Sequence, residues 1–161
     1  MSESIKNKKQ YSQKPPINRL RIIGEILAGA LAGLVTALPV GYVIYTADIS
    51  KNPGGHYGAF KPLFIFLFVA PVVYVPATAI GVYFVGSRGN QMSSFQSTLV
   101  WSFLGVLFVY GVGPFALVLL ALPGRMGEII LSALVLFTPP ICATYGFNLN
   151  RRYKEPKPPI H

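Results

Sequence analysis

RIIGEILAGALAGLVTALPVGYVIYT, residues 21–46, decides how this chain is read: after Arg21, its one charged side chain is Glu25. About 20 such residues make a helix long enough to cross the hydrocarbon core of a bilayer. Three further runs, 62–86, 95–122 and 127–148, reach the same length. The sequence therefore predicts an all-α integral membrane protein, a four-transmembrane-helix up-down bundle. A β-barrel does not fit, because its strands are about 10 residues of alternating polarity, whereas residues 63–69 (LFIFLFV) are continuously apolar. A soluble core does not fit either. Charged residues make up 12% of the chain, about half the share usual in soluble domains.

The formal net charge of +9 raises the question of nucleic acid, and the placement of the charges answers it. Lys6, Lys8, Lys9, Lys14, Arg19 and Arg21 lie at or before the start of the first run, and Arg151, Arg152, Lys154 and Lys157 follow the last. Basic flanks of this kind mark cytoplasmic ends, where anionic lipid headgroups attract them. The partners expected are the lipid bilayer and, at the basic tails, anionic headgroups; nucleic acid is not needed. With both termini cytoplasmic, Arg88 joins the inside set and only Lys51, Lys61 and Arg125 fall outside.

Residues 1–20 are basic and interrupted by Pro15 and Pro16, a composition that predicts a disordered cytoplasmic tail. Residues 21–148 form the transmembrane domain, and 149–161 a basic, proline-rich cytoplasmic tail. A cleaved signal is the competing reading of the first helix, with small residues at Val35, Thr36 and Ala37. Against it, the apolar run continues to Tyr45, past a signal's apolar region of about 7–15 residues. The lack of an Arg/Ser-rich leader points to a bacterial cytoplasmic (inner) membrane. Asn52, Pro53, Gly54 and Gly55 predict a turn in an outer loop from Asp48 to Lys61, and Pro123 and Gly124 a tight third connection.

Gly29, Gly33, Ala37 and Gly41 recur every four residues along the first helix, and Ala77 and Gly81 repeat the pattern in the second. Small residues so spaced let helix backbones approach closely, within the chain or between copies, so a homo-oligomer or contacts with other membrane proteins follow as expected partners. Every span carries proline: Pro39, Pro71 with Pro76, Pro114, and Pro139 with Pro140. Each removes a backbone donor, which predicts kinked helices and opened carbonyls. Tyr74 and Tyr110 fall near mid-span, where a phenol needs a hydrogen-bond partner: kinked backbone near Pro71 or Pro114, or Thr78 or Thr138 on neighbouring helices.

An ionisable group inside a span is a candidate site. Glu25 lies one turn inside the first helix, with Arg21 at i−4; Glu25, Tyr74 and Tyr110 are thus the candidate intramembrane polar site. Glu128 sits in the first turn of the fourth helix, where the dipole and Arg125 suit it. Cys142 stands alone and reads as a small packing residue. His56 and His161 are isolated, and no metal, phosphate-loop or nucleophile motif occurs. Residues 86–90 (GSRGN) could offer backbone N–H groups to a phosphate, but a turn between helices explains them as well. Residues 143–153 read as a helix leaving the inner interface, with aromatics at headgroup depth and its arginines in water.

These readings predict no catalytic residues, cofactor or metal. The expected function is that of a non-enzymatic structural or accessory component acting through helix packing. The alternative is a small channel or transporter with its path between the kinked helices.

Overall fold

The computed structural model describes residues 18–51, 70–89, 91–119 and 125–153. Four α-helices account for most of them: α1 Arg19–Lys51, α2 Val75–Gly86, α3 Phe95–Leu119 and α4 Arg125–Leu149. A π-helical turn, Ala70–Tyr74, leads into α2. Two short strands, β1 Gln91–Met92 and β2 Arg152–Tyr153, pair antiparallel, Gln91 opposite Tyr153 and Met92 opposite Arg152.

The helix ends follow local chemistry. Asn18 caps α1 through its side-chain Oδ1, which accepts from the Leu20 N–H at 3.0 Å. Ser94 does the same for α3, accepting from Ser97 N–H at 3.3 Å. Pro76 sits in the first turn of α2, where a missing donor is tolerated. The turn before it is wound more loosely, which eases the clash a proline makes with the carbonyl four residues back. Helical winding continues through Pro39 in α1 and through Pro139 and Pro140 in α4.

Neighbouring helices run in opposite directions. Gly29 lies against Val82 and Gly33 against Tyr74, so α2 descends as α1 ascends. Gly105 lies against Pro139 and Gly146 against Trp101, which sets α4 antiparallel to α3. Most packing is α1 on α2 and α3 on α4, joined by contacts of α4 with α1 and of α2 with α3 and α4. At the centre, Val82, Ala143 and Phe147 are fully buried, with Tyr83 packed against them.

Polarity is distributed against the rule for soluble proteins. Ile23, Leu27 and Leu31 of α1, Phe84 of α2, Phe108 of α3 and Ile129 of α4 are exposed, while Glu25, Thr98, Ser102, Gln91 and Arg151 are buried. Exposed apolar faces of this extent, with polar groups inside, are the informative departure.

Two segments are long and apolar enough to cross a membrane, Arg19–Ile44 with mean hydropathy 1.9 and Phe95–Val112 with 1.5. Only 17% and 28% of their most apolar windows are buried, far less than a soluble core helix requires. Val72–Gly86 is apolar but shorter. The expectation of four helices is thus met, with two of them passing this criterion among the described residues. Several boundaries shift. Residues 48–51, expected in a loop, continue α1, so that helix is 33 residues long. The loop expected between the second and third helices contains β1, and the C-terminal tail begins with the ordered strand β2. Residues 1–17 of the N-terminal tail, the turn at Asn52–Gly55 with His56, the start of the second run, and Pro123 with Gly124 lie outside the described residues.

Candidate functional site

At the end of the bundle where α1 and α3 begin and α2 and α4 finish, four helix termini bring unpaired backbone groups together. The side chains around them form one hydrogen-bonded cluster. Ser97 Oγ donates to Gly146 O at 3.0 Å and Ser93 Oγ to Phe147 O at 2.5 Å, satisfying carbonyls of the last turn of α4. Arg21 Nη2 donates to Gly86 O and Arg88 O at the finish of α2, where a cation also suits the helix dipole.

Glu25 is the centre of this cluster and is 0% exposed. Its Oε1 accepts from Arg21 Nε and from Arg151 Nη2, each at 3.3 Å, and its Oε2 accepts from Asn148 Nδ2 at 3.0 Å. Arg151, only 1% exposed, also donates through Nη1 to Asn148 Oδ1 at 2.6 Å and through Nε to Gln91 Oε1. Asn148 Nδ2 reaches Thr144 O at 2.7 Å, fixing the amide orientation. A carboxylate can be buried when charge-assisted bonds replace its water, and two guanidiniums and an amide do so here. The cluster ties the start of α1, the finish of α2, β1 and the finish of α4 into one closure.

Glu25 and Arg21 were legible as an i, i+4 pair; Arg151, Asn148 and Gln91 were not. Arg151, expected in water, is buried, because β2 pairing with β1 turns the chain back over the bundle end and carries that side chain inward. Arg152, its neighbour, is exposed. In the turn after α2, two backbone donors are already engaged: Ser87 N–H bonds Tyr83 O at 2.9 Å and Arg88 N–H bonds Val85 O at 3.2 Å.

Tyr74 and Tyr110, expected together with Glu25, lie elsewhere, deeper in the bundle. They line a space of about 10 Å³ with Val106, Val109, Val135 and Pro139. The Tyr74 hydroxyl donates to Leu136 O at 2.6 Å. Leu136 is four residues before Pro140, which has no N–H to offer that carbonyl, so the phenol supplies the absent donor. The opened carbonyl that bonds Tyr74 is therefore in α4, at Pro140, whereas the sequence pointed to backbone near Pro71 or Pro114.

Of the small residues, Gly29 and Gly33 make close approaches to α2: a Cβ on Gly33 would overlap the Tyr74 ring and stand 2.6 Å from Thr78 Oγ1. Gly81 faces back, its added Cβ 2.5 Å from Ala28 O. Ala77 is buried, and Ala37 and Gly41 continue the α1 face half-buried. Cys142 is half-buried, beside Gly105. The side chain of Glu128 lies outside the described residues. Among the described residues no group of three or more His, Cys, Asp or Glu side chains gathers to hold a metal ion. The chain matches no protein family, no curated protein and no solved structure.

Proposed function

We propose that this chain is an integral membrane protein whose four helices all cross the bilayer, and that it serves as a non-enzymatic structural or accessory component of a bacterial-type inner membrane. The observation that carries the reading is the inverted polarity: apolar side chains cover the outer faces of all four helices while Glu25, Arg151, Gln91 and Ser102 are inside. In lipid, packing between helices comes from close approach and internal polar bonds, and the small-residue contacts of α1 with α2 and the Glu25 cluster are of those two kinds. At about 1.5 Å per residue the 33 residues of α1 extend about 50 Å. That exceeds the hydrocarbon core and is accommodated by tilt or by projection into the headgroups. The Glu25 end, rich in arginine, belongs on the cytoplasmic side.

Membrane fractions washed with alkaline carbonate should retain the protein. In a Cys142→Ser background, an impermeant thiol reagent on intact cells should label a cysteine at Gly55 and spare cysteines at Ser4 and Ile160. Release by carbonate, or labelling of either tail, contradicts this reading.

A channel or transporter is the second reading, favoured by the buried hydroxyls of Ser102 and Thr144, which have no hydrogen-bond partner among the described residues. The apolar walls around Tyr74 and Tyr110 and the internal pairing of Glu25 weigh against it. Sealed liposomes containing the protein should leak protons or cations no faster than empty ones, before and after Glu25→Gln. Flux that Glu25→Gln abolishes would establish the transport reading instead.

A further inference from the structure

Arg21 bridges the buried cluster and the surface. Its Nε and Nη2 are engaged by Glu25, Gly86 O and Arg88 O, whereas Nη1 lies beside Gly89, 3.5 Å from where a Cβ on that residue would stand. Gly89 has φ +74°, a conformation that favours glycine, and the Arg21 side chain beside it is 22% exposed. The Arg88 side chain is exposed, its guanidinium carbon 4.9 Å from the centroid of the Phe84 ring, which is exposed as well. The Arg21 guanidinium bonds the backbone carbonyl of Arg88, so it reaches the same turn that carries the exposed Arg88 side chain. Among the described side chains Glu25 is the one carboxylate, and it is buried and shared by Arg21 and Arg151, which leaves net positive charge among the described side chains at this end.

We infer that Arg21 and Arg88 form a site for the phosphate of an anionic lipid at the turn after α2. Guanidinium groups recognise phosphate through paired N–H donors, and a shared anion relieves the repulsion between the two cations. A lipid rather than a soluble anion is favoured by the surroundings: Phe84 and Leu20, both exposed, place apolar surface beside the charges. An amphiphile matches both parts at once. The site rests on the membrane reading above, which sets this end at headgroup depth. Arg21, reaching both the lipid phosphate and Glu25, couples headgroup binding to the stability of the closure.

The test is thermal unfolding of delipidated full-length protein in a neutral detergent, with phosphatidylglycerol, phosphatidylcholine or inorganic phosphate added. Phosphatidylglycerol should raise the midpoint by several degrees and the other two should not. Arg88→Gln should remove most of that shift, Arg88→Lys should keep part of it, and Arg152→Gln should leave it intact. Native mass spectrometry of the unaltered protein should retain one phosphatidylglycerol per chain, a readout that does not depend on the variants folding. Equal shifts with phosphatidylcholine, or equal losses in Arg88→Gln and Arg152→Gln, would overturn the site. An equal shift with inorganic phosphate would overturn its assignment to lipid. A protein that survives the carbonate wash yet shows no phosphatidylglycerol shift fails this inference alone; one released by the wash fails the membrane reading.

Discussion

Two layers of the bundle are held by different physics. At the arginine-rich end, Glu25, Arg21, Arg151, Asn148 and Gln91 bond across sequence separations of up to 126 residues. One layer deeper, Gly33, Tyr74, Thr78 and Pro140 depend on close approach, with a single side-chain bond to a proline-freed carbonyl. The first arrangement is costly to leave half-made, because a buried charge without its partner is destabilising. The second is sensitive to volume, because a packed interface has no room for added atoms. Substitutions should therefore separate the layers by the kind and size of their effect.

The largest effect belongs to the charged layer. Glu25→Ala strands Arg151 in the interior and should cost about 3–5 kcal/mol. Denaturation in mild detergent measures it. Combining Glu25→Leu with Arg151→Met should recover much of the loss, since well-packed apolar residues often replace a buried ion pair without penalty. No recovery in the double variant would mean that the hydrogen bonds to Gln91 and Asn148, rather than the charge pairing, hold this end.

A smaller effect is expected between α1 and α2. Gly33→Leu forces the Tyr74 ring and Thr78 aside, and overpacking of this kind costs about 1–3 kcal/mol. Leu34→Ala, at a half-buried position, should cost less. Detergent stability compares the two directly; equal tolerance would show that the glycine is not at a tight contact and would erase the distinction between the layers.

The smallest effect isolates one hydrogen bond. Tyr74→Phe should cost about 1 kcal/mol in the native background. In Pro140→Ala the restored N–H can reach Leu136 O, so the added Tyr74→Phe should cost almost nothing. A double-mutant cycle reads that coupling. Independent, additive losses would show that the phenol does not stand in for the proline's missing donor.

Helix number and the approximate runs were legible because long continuous apolar stretches are a property of composition that needs no partner. Glu25 stood out as an ionisable group in such a run, and Arg21 as its neighbour one turn away. Tyr74 was legible as a phenol needing a partner, but the sequence pointed to Pro71 or Pro114, and the carbonyl at Pro140 is brought to it only by the packing of α4. Arg151 was misread because a linear pattern shows only that an arginine follows a helix. Which way it points depends on the pairing of β2 with β1, a contact between residues about sixty positions apart. Asn148 and Gln91 carried no signal at all, since an amide becomes part of a charge network only when distant elements bring a carboxylate to it. The sequence by itself thus determined that the chain forms apolar helices with a cationic end. Tertiary structure alone decided which polar groups are buried together, because hydrogen bonds act over about 3 Å and only packing sets that distance.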